Sequence, residues 1–128
     1  MKFLLDTHIW IWLLQSPEHL AASTHQELAN PANELWVSPI STWEALMLHR
    51  KKRISLSADF LVWLRQSTPG FHQAPLTHQI AIAAEQLSLH ADPADRFLAA
   101  TAQVLDLTLV TADQRLLGLG TIRTLGNR

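Results

Sequence analysis

The sequence predicts an α/β fold in which a parallel sheet is covered by helices on both faces. Short apolar segments alternate with helical segments along the chain, and this alternation favours parallel strands joined by helical crossovers. The 128 residues are 48% hydrophobic and 16% charged, so we expect residues 1–128 to form one globular domain. Ligands of such sheets bind beyond the carboxyl ends of the strands, and functional residues are therefore expected there.

Apolar segments and helix caps define the predicted elements of the first half. They are, in chain order, a strand at residues 2–6, helices at 7–15 and 16–29, a strand at 35–38 and a helix at 38–50. Thr7 is the expected N-cap of the first helix. Ser16-Pro17 and Ser38-Pro39 each place a capping residue before a proline at the first helical position, which predicts the starts of the next two helices.

The second half is predicted on the same grounds. Its elements are helices at residues 57–66, 77–87 and 92–104, a strand at 107–110, a short helix at 111–117 and an edge strand at 121–125. Asp92-Pro93 repeats the cap-and-proline pattern, and Thr111 is the expected cap of the short helix. Strands that alternate with helices in this way complete the pattern of a parallel sheet.

Composition excludes several classes of protein. The absence of Cys rules out a disulfide framework, a thiolate zinc site and a Cys nucleophile. A net charge of −1 gives no overall basic field, so any contact with nucleic acid must come from a local patch. The apolar run at residues 9–14 is far shorter than the ~20 residues of a membrane span. We therefore expect a small cytoplasmic protein without a membrane partner.

Four acidic residues are predicted to meet at one edge of the sheet. Asp6 ends the first strand, and Asp113 lies just after a later strand. Asp95 and Glu44 each share a helical stripe with apolar residues three and four positions away, so both are expected to face the core. Burying a carboxylate is costly unless another group neutralises its charge.

Each of these acids also has a purely structural explanation when taken alone. Asp92 could be no more than a helix cap, and Asp95 could be favoured there by the helix dipole. Asp113 could be an acid in the first turn of a helix, and Asp6 could be a turn residue. Glu44 could pair with a buried Arg. Together, however, they would repel, because two carboxylates about 5 Å apart cost roughly 3 kcal/mol at an effective dielectric near 20. A hard cation relieves that repulsion, and all-oxygen ligands favour Mg²⁺ or Mn²⁺, ions suited to phosphoryl chemistry.

Four motifs carry a resemblance to a known family. They are Leu4-Leu5-Asp6-Thr7-His8, Ser41-Thr42-Trp43-Glu44, Asp92-Pro93-Ala94-Asp95-Arg96 and Leu109-Val110-Thr111-Ala112-Asp113. Their order and spacing resemble the PIN domain, and in detail the VapC-type toxins of type II toxin–antitoxin pairs. The resemblance runs from residue 2 to about residue 117. It implies a three-layer α/β/α domain with a mostly parallel central sheet.

The resemblance also implies an activity, partners and roles for the acids. It implies an endoribonuclease in which metal-activated water attacks a phosphodiester in line, leaving 5′-phosphate and 3′-hydroxyl ends. Asp6, Asp95 and Asp113 would bind Mg²⁺ or Mn²⁺ directly, and Glu44 would act through water or orient the nucleophile. A homodimer and a small antitoxin whose tail covers the site are implied as partners. The alternative is a PIN-like module that only binds RNA or protein, which has no need of four clustered acids.

Residues that would contact the substrate are less clearly marked. Thr7 and Thr111 stand where a hydroxyl could position a ligand or bond to Asp6, although both also fit as helix caps. Leu48 stands where related sequences often carry Lys, so the candidates for phosphate contact are Arg96 and the run Arg50, Lys51, Lys52 and Arg53. That run is equally consistent with a solvated helix end whose cations match the dipole.

Three tryptophans and the residues that two rival families require also bear on the function. Trp10, Trp12 and Trp43 could stack on bases, but packing in the core or an interface is favoured. A haloacid-dehalogenase-like phosphatase is rejected, because that family needs a second acid where His8 stands. A phosphoacceptor receiver domain needs a Lys after a late strand, whereas Lys52 is the last Lys in the chain.

Overall fold

A five-stranded sheet forms the centre of the computed structural model, which describes residues 1–88 and 92–128. The strands are Lys2–Leu5 (β1), Glu34–Val37 (β2), His72–Gln73 (β3), Thr108–Thr111 (β4) and Arg123–Gly126 (β5). Their order across the sheet is β3-β2-β1-β4-β5, and each pair of neighbours is parallel. The parallel α/β architecture predicted from the alternating segments is therefore confirmed. β1 and β4 are adjacent at the centre, so the residues that follow them share one edge.

Helices connect the strands. They are Thr7–Gln15 (α1), Ala22–Ala29 (α2), Pro39–Arg50 (α3), Ala58–Leu64 (α4), His78–Gln86 (α5), Pro93–Leu105 (α6) and Gln114–Leu117 (α7). The predicted caps Ser38 and Asp92 are confirmed, since the side chain of each accepts a backbone N–H of the helix that follows it. Within the described part of the chain, no helix is both long and apolar enough to cross a membrane.

Side chains of the two central strands alternate between two hydrophobic clusters. Phe3, Leu5 and Val110 lie in one cluster with residues of α1, α2 and α4. Leu4 and Leu109 point to the opposite face, into a cluster with residues of α5, α6 and α7. Helices therefore cover both faces in a three-layer arrangement, as expected. The buried faces hold β1 and β4 rigidly side by side, which fixes the positions of the acids at their ends.

The segment at residues 16–29 differs from the single helix predicted for it. A 3₁₀ turn at Pro17–His19 is followed by Leu20 in extended conformation, and α2 begins only at Ala22. Leu20 is buried in the cluster next to α1, so the chain leaves the helical path to place this side chain in the core. The N–H of Ala21 donates a 2.7 Å hydrogen bond to Oδ1 of Asn127, which fixes the new start.

Two predicted caps and one strand also differ. The N-cap of α1 is Asp6 rather than Thr7, because the Asp6 carboxylate accepts the N–H of Thr7. The N-cap of α7 is Asp113, and Thr111 belongs to β4, where its backbone pairs with Gly126. The strand β3 was not predicted from the sequence, because its two exposed residues give no alternating pattern.

Candidate active site

Asp6 lies at the carboxyl end of the central strand β1. Its N–H donates to the carbonyl oxygen of Val110, which extends the pairing with β4 by one residue. Its Oδ1 accepts the N–H of Thr7 at 2.7 Å, and its Oδ2 accepts the hydroxyl of Thr111 at 2.7 Å. Burial raises the pKa of Asp6, and these two hydrogen bonds offset only part of that rise. Asp6 is thus a fixed, buried carboxylate.

Glu44 reaches the same edge from α3. The Thr7 hydroxyl donates a 3.0 Å hydrogen bond to Oγ of Ser41, which ties the start of α1 to α3. Glu44 lies three residues after Ser41, on the same side of the helix. Burial raises the pKa of Glu44, and the negative charges of Asp92 and Asp6 add to the rise. The glutamate therefore lies in the field of the other acids.

Asp95 comes from the first turn of α6. Its N–H donates to Oδ1 of Asp92 at 3.0 Å, so Asp92 caps the helix and sits beside Asp95. Asp95 is largely buried, whereas Asp92 is exposed. Burial raises the pKa of Asp95 to about 7, with further contributions from the charges of Asp92, Asp6, Asp113 and Glu44. Asp92 is therefore both a cap and a source of negative charge at the site.

Asp113 follows β4 and caps α7. Its N–H donates to the Thr111 hydroxyl at 3.0 Å, and its Oδ1 accepts the N–H of Arg115 at 2.9 Å. The Arg115 guanidinium also binds this carboxylate, with Nη2 2.9 Å from Oδ2 and Nε 3.3 Å from Oδ1. The hydrogen bonds from that guanidinium are the main reason that the pKa of Asp113 is lowered. Asp113 makes the shorter of the two ion pairs of Arg115, whose Nη2 also lies 3.7 Å from Oδ2 of Asp95.

One pocket of about 390 Å³ brings the four predicted acids together. It is lined by Asp6, His8, Trp12, Glu44, Asp92, Asp95, Ala112, Asp113 and Arg115. Three of the four predicted acids have raised pKa values, because burial and mutual repulsion both disfavour the charged form. The pocket is therefore a concentrated, incompletely neutralised negative site at the carboxyl edge of the sheet.

The donor chemistry of this pocket suits a hard divalent cation. Every acid that lines it offers carboxylate oxygens, the ligands that Mg²⁺ and Mn²⁺ prefer. In residues 1–88 and 92–128, however, no three acidic or imidazole groups are placed closely enough to form a ready-made ligand set. The Arg115 guanidinium lies between two of the acids, with Nη2 2.9 Å from Oδ2 of Asp113 and 3.7 Å from Oδ2 of Asp95. The acids are of the ligand type that the ion prefers, but some of their side chains must move closer together to bind it.

The residues predicted to contact substrate lie in three different settings. Thr7 and Thr111 are buried, and their hydroxyls bond to Ser41 and Asp6. Nη2 of Arg96 donates to the carbonyl oxygens of Glu85 and Leu87, at the end of α5. Arg50, Lys51, Lys52 and Arg53 are exposed at the end of α3 and do not line the acidic pocket.

Five residues of the pocket were not predicted to belong to the site, namely His8, Trp12, Asp92, Ala112 and Arg115. His8 and Trp12 lie one turn apart on α1 with ring centroids 5.9 Å apart, and the Trp12 ring stacks on His19 at 5.4 Å. Their spacing of four residues, starting two residues after Asp6, was the available signal. Arg115 was marked only by its position two residues after Asp113. Trp10 is fully buried, as expected for core packing, and Trp43 is exposed outside this pocket.

Comparison with known proteins places the chain among related folds. The family model for the PIN domain matches residues 3–120. The chain is 36% identical over 115 residues to Ribonuclease VapC22 of Mycobacterium tuberculosis, covering 88% of each protein. It resembles chains in the crystal structure of VapBC2 from Rickettsia felis bound to a promoter DNA fragment (TM-score 0.72, 16% identity, 98% of both chains covered). A DNA-bound VapBC structure from Salmonella typhimurium gives TM-score 0.72 and 20% identity over 100% and 99% of the two chains.

Proposed function

The chain belongs to the PIN-domain family, and on that premise we propose that it is a divalent-cation-dependent endoribonuclease, the toxin of a toxin–antitoxin pair. The observation that carries the proposal is the meeting of Asp6, Glu44, Asp95 and Asp113 in one pocket at the carboxyl edge. The similarity to a protein named Ribonuclease VapC22 supports RNA as the substrate. Residues 1–128 act as one PIN-like domain.

Asp6, Asp95 and Asp113 would hold Mg²⁺ or Mn²⁺ directly, and Glu44 would act through water. A bound ion would supply a water of lowered pKa and would offset charge on the phosphate that is attacked. Support comes from the raised pKa values of Asp6, Glu44 and Asp95, because a cation would stabilise the charged forms that burial, and to a lesser extent the neighbouring acids, disfavour. Phosphodiester hydrolysis then leaves 5′-phosphate and 3′-hydroxyl ends.

The chain's own residues orient the acids and the RNA. Thr111 and the backbone of Thr7 each donate to one oxygen of Asp6, so this carboxylate keeps one orientation during the reaction. Ser41 holds the start of α1 against α3 and thereby keeps Glu44 at the pocket. His8 and Trp12 form an aromatic wall of the pocket, on which a base beside the attacked phosphate stacks. Arg96 acts indirectly, by joining α6 to the end of α5.

Partners and location follow from the same family. The solved structures similar in fold include VapBC complexes with DNA and a toxin–antitoxin complex from Klebsiella pneumoniae. We place this chain in the cytoplasm as a homodimer that binds a small cognate antitoxin. The antitoxin restrains the nuclease by covering the acidic pocket.

Cleavage of a mixed pool of cellular RNA tests the proposed activity. Purified protein free of antitoxin is incubated with the RNA in Mg²⁺, in Mn²⁺ and in EDTA. We expect discrete fragments with 5′-phosphate ends in either metal and none in EDTA. The variant Asp6→Asn/Asp95→Asn should be inactive, whereas Asp59→Asn, the same change at an exposed acid on α4, should cleave normally.

The outcome separates the nuclease from a binding module. Fragments that persist in EDTA or in the double variant would overturn the metal-dependent mechanism. Intact RNA in the presence of protein that binds Mn²⁺ would favour the alternative, a PIN-like fold that binds RNA or protein without cleaving.

A further inference from the structure

Arg115 connects two acids that come from different parts of the fold. Its Nη2 lies 2.9 Å from Oδ2 of Asp113 and 3.7 Å from Oδ2 of Asp95, while its Nε donates to Oδ1 of Asp113. Asp113 follows β4, and Asp95 belongs to α6, so the contact is made only by the folded chain. A guanidinium that bridges two of the proposed metal ligands holds a positive charge where the ion is expected.

The Arg115 side chain is free to leave this position at low cost. It is 60% exposed, and among the described residues its guanidinium hydrogen bonds are made to Asp113. Turning the side chain toward solvent therefore uncovers no core and leaves no buried donor unsatisfied. The guanidinium end of the pair faces solvent, so water can hydrate the arginine when it turns away, and a bound cation would replace its charge beside Asp113 and Asp95.

A divalent cation and this guanidinium compete for the same place. Both Asp113 oxygens already accept hydrogen bonds from the guanidinium, and the Asp95 oxygen nearest to it is a proposed ligand. A divalent cation bound to these carboxylates would lie next to the guanidinium, and the two positive charges would repel each other, although solvent screens the interaction. When the ion binds Asp95 and Asp113, the favourable position for Arg115 is at the rim of the pocket, where an RNA phosphate would arrive. Arginine suits that role because its planar fork matches two phosphate oxygens.

We propose that Arg115 is a built-in counter-ion that neutralises Asp95 and Asp113 until a divalent cation replaces it, and that it then binds the RNA phosphate. The first role concerns the chain's own carboxylates, whereas the second rests on the proposed ribonuclease function. Arg115 thus links cation binding to substrate binding through one mobile side chain. It is a substrate-positioning residue that the family resemblance did not mark.

Arg115→Gln separates the two roles, and the chain offers a matched control. Arg123 is also 60% exposed and pairs with an acid, Asp106, at 2.8 Å, but it begins β5 at the opposite edge of the sheet. Titration calorimetry with Mn²⁺ alone at about pH 8 measures the first role. Arg115→Gln should bind Mn²⁺ about tenfold more tightly than the unmodified chain, because a competing charge is gone. Arg123→Gln should change the affinity little, and Arg115→Lys should stay close to the unmodified chain.

Fluorescence anisotropy measures the second role. The probe is a labelled single-stranded RNA of mixed sequence, in Ca²⁺, which takes oxygen ligands. Arg115→Gln should bind this RNA roughly tenfold more weakly, as expected for loss of one charge-assisted phosphate contact. Arg123→Gln should bind it normally.

Two results would overturn the proposal. Unchanged or weaker Mn²⁺ binding by Arg115→Gln, with a native circular dichroism spectrum, would refute the counter-ion role. Tighter Mn²⁺ binding with unchanged RNA affinity would refute the phosphate role alone. If the unmodified chain binds Mn²⁺ but cleaves no RNA, the proposed function fails, while the Mn²⁺ comparison still decides the counter-ion role.

Discussion

The hydroxyl of Thr111 donates a 2.7 Å hydrogen bond to Oδ2 of Asp6, joining the ends of the two central strands beside the acidic pocket. The same hydroxyl accepts the N–H of Asp113. One buried side chain therefore orients Asp6 and sets the path of the backbone that leads to Asp113. This arrangement makes Thr111 a positioning residue for two of the four acids.

Replacing Thr111 with Val should disturb both acids while keeping the side-chain shape. The Asp6 carboxylate loses a donor in a buried place, so we expect unfolding to become easier by about 2 kcal/mol near neutral pH. RNA cleavage should fall as well, because Asp6 is no longer held in one orientation. Urea denaturation and a cleavage assay measure the two effects. Thr111→Ser keeps the hydroxyl and should retain most of the activity; equal losses in both variants would point to packing instead.

The raised pKa of Asp95 predicts how stability depends on pH. This pKa is about 7 in the folded protein against an ordinary value of 3.8, so the folded state binds more protons than the unfolded state between those values. The free energy of unfolding should therefore fall as the pH rises from about 4 to about 7. The raised pKa values of Glu44 and Asp6 act in the same direction. The lowered pKa of Asp113 acts oppositely, and only in more acidic solution.

Asp95→Asn should remove much of that dependence. In EDTA at about pH 8 the variant should be more stable than the unmodified chain, and at about pH 5 the gain should be much smaller. Urea denaturation at the two pH values provides the measurement. Asp59→Asn serves as the control at an exposed position on α4. An equal gain at both pH values would show that ionisation of Asp95 is not the cause.

Divalent cations should stabilise the folded chain. At a concentration 100 times the dissociation constant, Mg²⁺ or Mn²⁺ contributes about 2.7 kcal/mol if it binds only the folded state. For a chain of this size that corresponds to a rise in melting temperature of about 10 °C. Differential scanning calorimetry with and without metal measures the rise. Asp6→Asn/Asp95→Asn should melt at the same temperature in metal and in EDTA, and an unmoved midpoint for the unmodified chain would argue against a metal site in this pocket.

The basic run at the end of α3 should contribute to RNA affinity. Arg50 lies six residues after Glu44, about 9 Å farther along the helix, which is within reach of a neighbouring phosphate. Arg50→Gln/Arg53→Gln should weaken RNA binding and reduce the salt dependence by about 0.7 per lost contact, with Mn²⁺ affinity unchanged. Lys2→Gln/Arg123→Gln removes two charges at the amino edge of the sheet and should leave the slope unchanged. If the two double variants show the same salt dependence of RNA affinity, the run is only a solvated helix end.

Local chemistry explains why much of the site could be predicted from the sequence. Ser38-Pro39 and Asp92-Pro93 start α3 and α6 where expected, because the cap and the proline act within a few residues. Those starts fix which residues of each helix face inward. Asp95, on an apolar stripe, is largely buried in the structure, and the four acids line one pocket.

Tertiary contacts explain what could not be predicted. The break before α2 exists because Leu20 enters the core and Asn127 binds the N–H of Ala21, a contact across more than a hundred residues of chain. The two residues of β3 are too few to show a pattern. Arg115 reaches Asp95 only because α6 and α7 meet at the sheet edge, which spacing along the sequence does not reveal.

Anomalous diffraction from crystals grown with Mn²⁺ tests the four-carboxylate site most directly. We predict a manganese peak bounded by the carboxylates of Asp6, Asp95 and Asp113, with Glu44 facing it and Arg115 turned away. Crystals of Asp6→Asn/Asp95→Asn should show no such peak. A pocket without manganese under conditions in which the protein cleaves RNA, or a peak held by side chains elsewhere, would contradict the assignment of these acids.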